Sequence, residues 1–131
     1  MSMKPARRCI DIGIVVSNIA RSLRFYQGVL GLEKLEEVEV PFGRMYRLRF
    51  GESFVKLVDP KEKPPAGTQG VARVLGLRYL TFPVTNLDEV CAACEAAGVI
   101  FDLPKRELMP GVFIAMFQDP DGNVVELVER R

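Results

Sequence analysis

The first and second halves of this chain repeat the same order of elements, and this repeat constrains the fold more than any other feature. The segment CIDIGIVVSNI (9–19) has its counterpart in GLRYLTFPVTNL (76–87). Each is a short apolar strand that ends in valine, a hydroxyl residue and asparagine, where a helix is predicted to begin. Later in each half, FVKLV (54–58) matches VVELV (124–128). Such a repeat indicates two similar units built from one chain.

Each half is predicted to contain one strand, one helix and three further strands. The helices are expected to run from Ile19 to Val29 and from Leu87 to Ala97, with asparagine as the N-cap residue and glycine after the last turn. The strand-like runs that follow are 32–40, 44–50 and 53–58 in the first half, and 99–103, 111–118 and 123–128 in the second. The order predicts an α+β fold of two βαβββ modules.

The chain of 131 residues fits one domain, 1–131, rather than several. We place the two modules at 8–58 and 71–129. Between them, DPKEKPPAGTQG (59–70) is rich in proline, glycine and lysine, which is typical of a linker. A half of this size is marginally stable alone, so the halves are expected to pack together within a chain or across a dimer.

Strand alternation places charged and polar side chains on the faces that no helix covers. Ile10, Ile12 and Ile14 share the face that a helix would cover, so Asp11 lies on the other one. The same alternation puts three more polar side chains on helix-free faces: Lys56, Tyr79 and Glu126. A lysine in an otherwise apolar strand is notable, because lysine is rarely buried without a partner.

The hairpin before Lys56 leaves the orientation of two arginines open. If Gly51 and Glu52 form a two-residue turn, Arg47 lies opposite Lys56, Arg49 lies opposite Phe54, and both arginines share the helix-free face. A three-residue loop would turn Tyr46, Leu48 and Phe50 to that face instead. Together with these arginines, the predicted ligand-binding residues on the helix-free faces are Phe54, Met116 and Val124.

Composition excludes several functions. Lys and Arg total 18 against 17 Asp and Glu, so no net field attracts nucleic acid or an anionic membrane. The chain has no histidine, which excludes an imidazole base or ligand. Cys91 and Cys94 fall inside the second predicted helix and are interpreted as core residues rather than a redox or zinc site. No apolar run reaches membrane-spanning length and no secretory signal is evident, so we expect a cytoplasmic protein.

The order of elements and three stretches resemble the vicinal oxygen chelate superfamily, which includes glyoxalase I, bleomycin-resistance proteins and extradiol dioxygenases. The stretches are IGIVVSNIARSLRFYQGVLGLE (12–33), FVKLV (54–58) and DPDGNVVELVE (119–129). The resemblance implies one glyoxalase/bleomycin-resistance-like domain whose two curved, mixed sheets form a cleft. It also implies a homodimer, because single chains of this length in the superfamily usually dimerise.

The resemblance also implies where a metal would be held. Metal enzymes of the superfamily place their ligands, usually His, Glu or Gln, His and Glu, at the positions of Asp11, Lys56, Tyr79 and Glu126. Only Glu126 keeps the expected residue type. A protonated lysine repels a divalent cation and offers no lone pair. We therefore expect no metal cofactor, with the Lys56 ammonium lying between Asp11 and Glu126 instead; Mg²⁺ or Mn²⁺ held by oxygen ligands is the alternative.

Three functions are compatible with these residues. The first is a protein that binds a small molecule. Apart from this ligand, the only partner we expect is a second copy of the chain. The second is a cofactor-independent lyase or isomerase in which Lys56 or a carboxylate acts as the base and Tyr79 donates to a developing oxyanion. The third is a divalent-metal lyase or dioxygenase with unusual oxygen ligands. The same polar residues could also form a network that fixes the cleft and performs no chemistry.

Overall fold

The computed structural model describes residues 1–131, which form two compact units, Met1–Pro64 and Pro65–Arg131. The elements of the first unit are β1 (Ile12–Val15), α1 (Ile19–Leu23), a π-helical segment (Arg24–Val29), β2 (Glu33–Val40), β3 (Gly43–Phe50) and β4 (Ser53–Pro60). The elements of the second unit are β5 (Tyr79–Pro83), α2 (Leu87–Ala96), β6 (Phe101–Met109), β7 (Val112–Gln118) and β8 (Val124–Arg130).

Each unit contains one four-stranded mixed sheet. The strand orders are β1-β4-β3-β2 and β5-β8-β7-β6. In both sheets the first strand pairs in parallel with the last one, and the other pairs are antiparallel. The helix between the first and second strands of each unit supplies the crossover that a parallel pair needs. The predicted α+β fold of two βαβββ modules is therefore confirmed.

The helix of the first unit begins as the sequence predicts and widens in its second half. The Asn18 side chain accepts a hydrogen bond from the backbone N–H of Arg21 at 3.1 Å, as an N-cap residue does. The N–H of Leu30 then bonds to the carbonyl of Phe25, a π-type spacing. Phe25 and Tyr26 are both buried and pack edge to face, with ring centroids 4.8 Å apart.

The helix-covered face of the first sheet forms the core of that unit. Ile14, Leu48, Val55 and Leu57 alternate with residues of the opposite face along their strands and are all buried. Helix α1 contacts β4, which lies inside the sheet. The opposite face of the same strands has no helix on it within this unit and carries the polar side chains discussed below.

The second unit is built in the same way, with α2 in contact with β7 and β8. The buried side of α2 carries Leu87, Cys91 and Cys94. The helix ends at Gly98, which has a φ of 74° and is followed by a bond from the N–H of Val99 to the carbonyl of Cys94. This is the glycine-dependent helix end that the sequence predicts. The two α-helices and the π-helical segment are not long and apolar enough to cross a membrane.

Two boundaries differ from the sequence-based expectations. Strand β6 runs from Phe101 to Met109, whereas the pattern predicted a strand only over 99–103. Pro104 lies inside it, and the strand is mostly exposed and interrupted by register shifts, as an edge strand permits. Strand β4 extends to Pro60, so the first two residues of the predicted linker belong to the sheet.

A third difference concerns the start of the first strand. Ile10 was expected on the helix-covered face, but β1 begins at Ile12 and Ile10 is 88% exposed. The alternating pattern continues into a segment that has no strand partner, because β4 pairs with β1 only from Ile12 onward. Periodicity alone therefore places β1 two residues too early.

The DPDGN segment is a structural turn. The Asp119 carboxylate is buried and accepts bonds from the backbone N–H groups of Asp121 and Asn123 at 2.9 and 2.8 Å. Gly122 has a φ of 84°, and a Cβ atom placed there would lie 3.2 Å from the Gln69 Cγ. The Asp119 carboxylate therefore organises the entry into β8, and the sequence-based interpretation of the segment as a tight turn is correct.

A pair of glycine substitutions tests this description. Gly122→Ala forces a side chain into left-handed backbone and should lower the free energy of unfolding by about 1–2 kcal/mol. Gly13→Ala is the matched control, because its backbone is extended and its Cβ would meet nothing within 4 Å. Urea denaturation should show Gly13→Ala unchanged or slightly stabilised. Equal losses from both substitutions would contradict the assigned turn.

Candidate functional site

The helix-free face of the first sheet carries a continuous row of three residues. Lys56 at the centre of β4 pairs with Gly13 on β1 and with Arg47 on β3. Residues directly opposite one another on neighbouring strands project from the same face. The register therefore puts an exposed glycine, a half-buried lysine and an arginine side by side.

The hairpin register that the sequence left open follows from the pairing of Phe50 with Ser53. Gly51 and Glu52 are the two-residue turn, with Gly51 at a φ of 56°. Arg47 accordingly lies opposite Lys56, and Arg49 lies opposite Phe54. Both arginines share the face of Lys56, and the alternative three-residue loop does not occur.

Phe54 lies under two guanidinium groups. The Arg47 guanidinium carbon is 4.2 Å from the centroid of the Phe54 ring, and that of Arg7 is 4.6 Å from it. Both distances are within the range of a cation–π contact. Arg7 was not among the residues predicted from the sequence. The sequence signal that could have indicated Arg7 was its position four residues before Asp11, a spacing at which opposite charges can pair. No helix joins the two residues, however.

Asp11 has partners other than Lys56. One carboxylate oxygen accepts the backbone N–H of Phe54 at 2.8 Å, and the other accepts the Arg7 guanidinium at 2.7 Å. Arg7 also donates to the backbone carbonyl of Glu52 at 2.5 Å. The Lys56 ammonium was expected to lie between Asp11 and Glu126, but the ion-pair partner of Asp11 in the structure is Arg7.

The surroundings of Asp11 favour its ionised form. The backbone hydrogen bond from Phe54 lowers its pKa most, and the bond and charge of Arg7 lower it further, against the opposing effect of burial. The Lys56 charge adds a smaller contribution from beyond ion-pair distance. A carboxylate held at lowered pKa is a weak general base, so Asp11 is poorly suited to abstract a proton.

The other cations of this face are each paired with a carboxylate. Arg47 Nη2 lies 2.7 Å from Glu36 Oε1, and Arg49 Nη2 lies 2.5 Å from Glu33 Oε2. Arg47 nevertheless keeps a buried Nε–H without an acceptor. The Lys56 side chain forms no hydrogen bond and no ion pair. It is therefore the one cation of this face whose charge is uncompensated by a direct contact.

The helix-free face of the second sheet carries the remaining predicted residues. Tyr79 is 50% exposed and pairs with Val124, whereas Glu126 pairs with Thr81 on one side and with Met116 on the other. Thr81 Oγ1 donates to Glu126 Oε1 at 2.7 Å, a contact that the sequence did not predict. Val124 is 1% exposed and so offers packing rather than ligand surface.

The donors on these faces do not fit a divalent cation. In the first unit the candidate carboxylate nearest in sequence position to the expected ligand is Asp11, whose charge is already paired with the Arg7 guanidinium, and the Lys56 cation repels a divalent ion. In the second unit Glu126 is the single carboxylate of its row and accepts the Thr81 hydroxyl. No three His, Cys, Asp or Glu side chains come together as a group that could hold a metal ion.

The CxxC segment contributes no reactive thiol. Cys91 and Cys94 are buried in the core side of α2. Burial raises the pKa of both thiols, and that of Cys94 reaches about 12. Because the thiolate is the reactive form, these cysteines are core residues, as the helical phase predicted.

A search of protein-family models matches residues 9–127 to the glyoxalase/bleomycin resistance protein/dioxygenase superfamily. Lactoylglutathione lyase from Pseudomonas aeruginosa is 30% identical over 87% of this chain and 77% of its own length. Among solved structures, a glyoxalase family protein from Enterococcus faecalis is 28% identical, with a TM-score of 0.75 over 95% of this chain and 98% of its own. TnmS3, an antibiotic binding protein from Streptomyces, is 26% identical, with a TM-score of 0.72 over 98% of this chain and 100% of its own.

Removal of the Asp11 carboxylate should destabilise the chain in a pH-dependent way. Asp11→Ala leaves the Phe54 N–H without its acceptor and Arg7 without its ion-pair partner, which should lower the free energy of unfolding by about 1 kcal/mol at neutral pH, since the carboxylate is partly exposed. The folded-state pKa lies below the ordinary value of 3.8. This contribution is therefore complete above the ordinary value and is lost as pH falls through the lowered one.

Chemical denaturation of wild type and variant between neutral pH and the acid limit of folding measures this difference. Glu62→Ala, which removes an exposed carboxylate of the same unit, is the control and should show no such loss. A difference between wild type and Asp11→Ala that grows as the pH falls would contradict the assigned contacts.

Proposed function

Because this chain belongs to the glyoxalase/bleomycin resistance protein/dioxygenase superfamily, we propose that it is a small-molecule-binding protein that works without a divalent metal. The observation that carries the proposal is Lys56. The resemblance maps it to a strand position where metal enzymes of the superfamily place a ligand, and in the structure it is half-buried with no ion-pair partner. A cation at that position opposes metal binding and favours an electron-rich ligand.

The polar residues of the two units would orient the ligand. In this proposal Lys56 and Asp11 act from the first unit, and Tyr79 and Glu126 from the second. The cleft that the resemblance implies, and a network joining all four residues, stay predictions. Phe54 and Met116 supply polarisable apolar surface beside these polar groups, a combination typical of small-molecule sites. The similarity to an antibiotic binding protein supports this function.

A cofactor-independent lyase or isomerase is the second candidate. The 30% identity to a lactoylglutathione lyase favours it. Asp11 is an unsuitable base because its pKa is lowered, which leaves Lys56 or Glu126 for that role and Tyr79 as the donor to a developing oxyanion. The third candidate, a divalent-metal lyase or dioxygenase, lacks a fitting donor set.

Tyr79→Phe separates the first two candidates, because it removes a hydroxyl donor and keeps the aromatic ring. In a lyase this change should lower kcat by roughly 10²–10³-fold, as loss of an oxyanion donor does, whereas a binding protein has no turnover to lose. Lactoylglutathione is the first compound to assay, in the presence of a metal chelator. Robust turnover that depends on Tyr79 would replace the binding function by the lyase.

Metal titration tests the metal-free part of the proposal. Protein purified without chelator should contain no stoichiometric metal, and calorimetric titration with Mg²⁺, Mn²⁺, Zn²⁺ and Fe²⁺ should show no site. The reason is that the Lys56 cation repels a divalent ion and that the charge of Asp11 is already paired with Arg7. Tight one-to-one binding of any of these metals would overturn the proposal.

A gain-of-function variant provides the control for that titration. A triple variant restores the ligand types of the superfamily's metal enzymes beside the native Glu126. Its substitutions are Asp11→His, Lys56→Glu and Tyr79→His. The triple variant should bind Zn²⁺ or Ni²⁺ with micromolar or better affinity, since nitrogen and carboxylate donors suit these ions. A folded triple variant that binds no metal would show that the four positions are mapped wrongly.

Two further expectations belong with this proposal. We propose a homodimer, which light scattering on purified protein would detect as a mass twice that of the 14.7 kDa chain. We also propose a cytoplasmic location, which follows only from the sequence and is checked by fractionation of the producing cell.

A further inference from the structure

We propose that the ligand of this protein is an organic anion whose carboxylate binds beside Lys56, in the open space over Gly13. This inference rests on the proposed binding function and names the chemical class of the ligand. It is carried by the row that Gly13, Lys56 and Arg47 form on the helix-free face of the first sheet.

The first observation is the space beside the lysine. Gly13 is the in-register neighbour of Lys56 on β1, and a Cβ atom at Gly13 would meet nothing within 4 Å. Its backbone is extended, so the glycine is not required by a left-handed turn. In the equivalent place of the second sheet, Thr81 carries a hydroxyl that bonds to Glu126. The first sheet therefore leaves an open notch where the second has a side chain.

The second observation is the distribution of charge on this face. The three guanidinium groups near Phe54 are each paired with one carboxylate: Arg7 with Asp11, Arg47 with Glu36 and Arg49 with Glu33. Lys56 is left with a positive charge that no contact neutralises. A partly buried cation is more stable with an anionic partner, and one uncompensated charge matches a monoanion such as a carboxylate.

The third observation is a fixed guanidinium on the neighbouring residue. Arg47 Nε–H is buried without an acceptor, and its guanidinium is held in place by Glu36 at 2.7 Å and by the Phe54 ring. A held guanidinium loses little side-chain entropy when it binds an anion. Arg47 thus adds a fixed guanidinium beside the Lys56 ammonium, which is the donor that faces the notch.

The fourth observation concerns the organic part of the ligand. Val15 lies two residues after Gly13, hence on the same face, and is 52% exposed. An apolar side chain this exposed beside the notch offers surface to a hydrocarbon group. The arrangement thus fits an amphiphilic carboxylate, with its charge at Lys56 and its apolar body over Val15.

The test uses matched pairs of compounds that differ only in charge. Benzoate and benzamide, cinnamate and cinnamamide, and octanoate and octanamide would be compared by thermal shift at about 1 mM and then by calorimetric titration. Each carboxylate should raise the Tm, and the best should bind at least about tenfold more tightly than its amide, as expected for a charge-assisted contact. Inorganic phosphate, a small anion without an apolar body, should bind more weakly than the best carboxylate.

Two kinds of variant locate the binding. Lys56→Met should weaken the carboxylate about tenfold or more and leave the amide unchanged, whereas Lys56→Arg should keep most of the preference. Gly13→Leu fills the notch and should abolish binding of both members of a pair while Lys56 stays intact. Lys61→Met, which removes one exposed lysine of the same unit, is the control for net charge and should bind as wild type does.

Several outcomes would overturn the inference. Equal affinity for carboxylates and amides, with both lost in Gly13→Leu, would leave the binding function standing and show that the ligand is neutral. Phosphate binding equal to that of the best carboxylate would show a site for small anions. An unchanged carboxylate affinity in Lys56→Met or in folded Gly13→Leu would place the ligand elsewhere. Absence of any Tm shift with all six compounds would also reject the carboxylate class. The proposed metal-free binding function is tested separately, and tight metal binding in the calorimetric titration would overturn it.

Discussion

The parallel pairing of the first strand with the last strand is the interaction on which each unit depends. It places β4 beside β1 and β8 beside β5, in the interior of sheets whose other strands pair antiparallel. A parallel pair requires a crossover, and the crossover helix covers one face of the sheet only. The other face is left without a helix in its own unit, and the alternation of β4 then decides that Lys56 lies on it. The chemistry of the candidate site follows from this asymmetry between two faces.

On the helix-free face of the first sheet, ion pairing divides the cations into two groups. Asp11, Glu33 and Glu36 each hold an arginine, and these pairs neutralise one another locally. Lys56 stands outside the pairs, although it is at the centre of the sheet. Isolated surface ion pairs contribute little to stability, so the pairs matter mainly because they orient the guanidiniums around Phe54. The result is a face with one cation, Lys56, whose charge no direct contact balances.

The two units show how one architecture supports different chemistry at equivalent places. The strand centres carry Lys56 in one sheet and Glu126 in the other, and the neighbouring first strands carry Gly13 and Thr81. In the second unit the hydroxyl of Thr81 satisfies the carboxylate directly. In the first unit the glycine provides no partner for the lysine, so the charge remains available to a ligand. A repeat that conserves strand order thus need not conserve the donors that would hold a metal.

Much of the fold was predictable from the sequence, and the misses have physical causes. The order of elements, the Asn18 cap and the end of α2 at Gly98 follow from local rules of periodicity and capping. The length of β6 was missed because a proline is normally a sign against a strand, and only its place at the sheet edge makes Pro104 acceptable. The exposure of Ile10 was missed because an alternating pattern cannot show where the partner strand ends.

The sequence by itself determined that Lys56 and Glu126 occupy matching positions on helix-free faces, because strand alternation fixes which side chains share a face. It also determined the absence of imidazole chemistry, because the chain contains no histidine. Only the tertiary structure decided that Arg7 and the Phe54 N–H, rather than Lys56, hold Asp11, and that Arg47 lies beside Lys56. These contacts join residues that are far apart in the chain or depend on the register of one hairpin. The local pattern of residues predicts neither which distant residues meet nor which register a hairpin adopts.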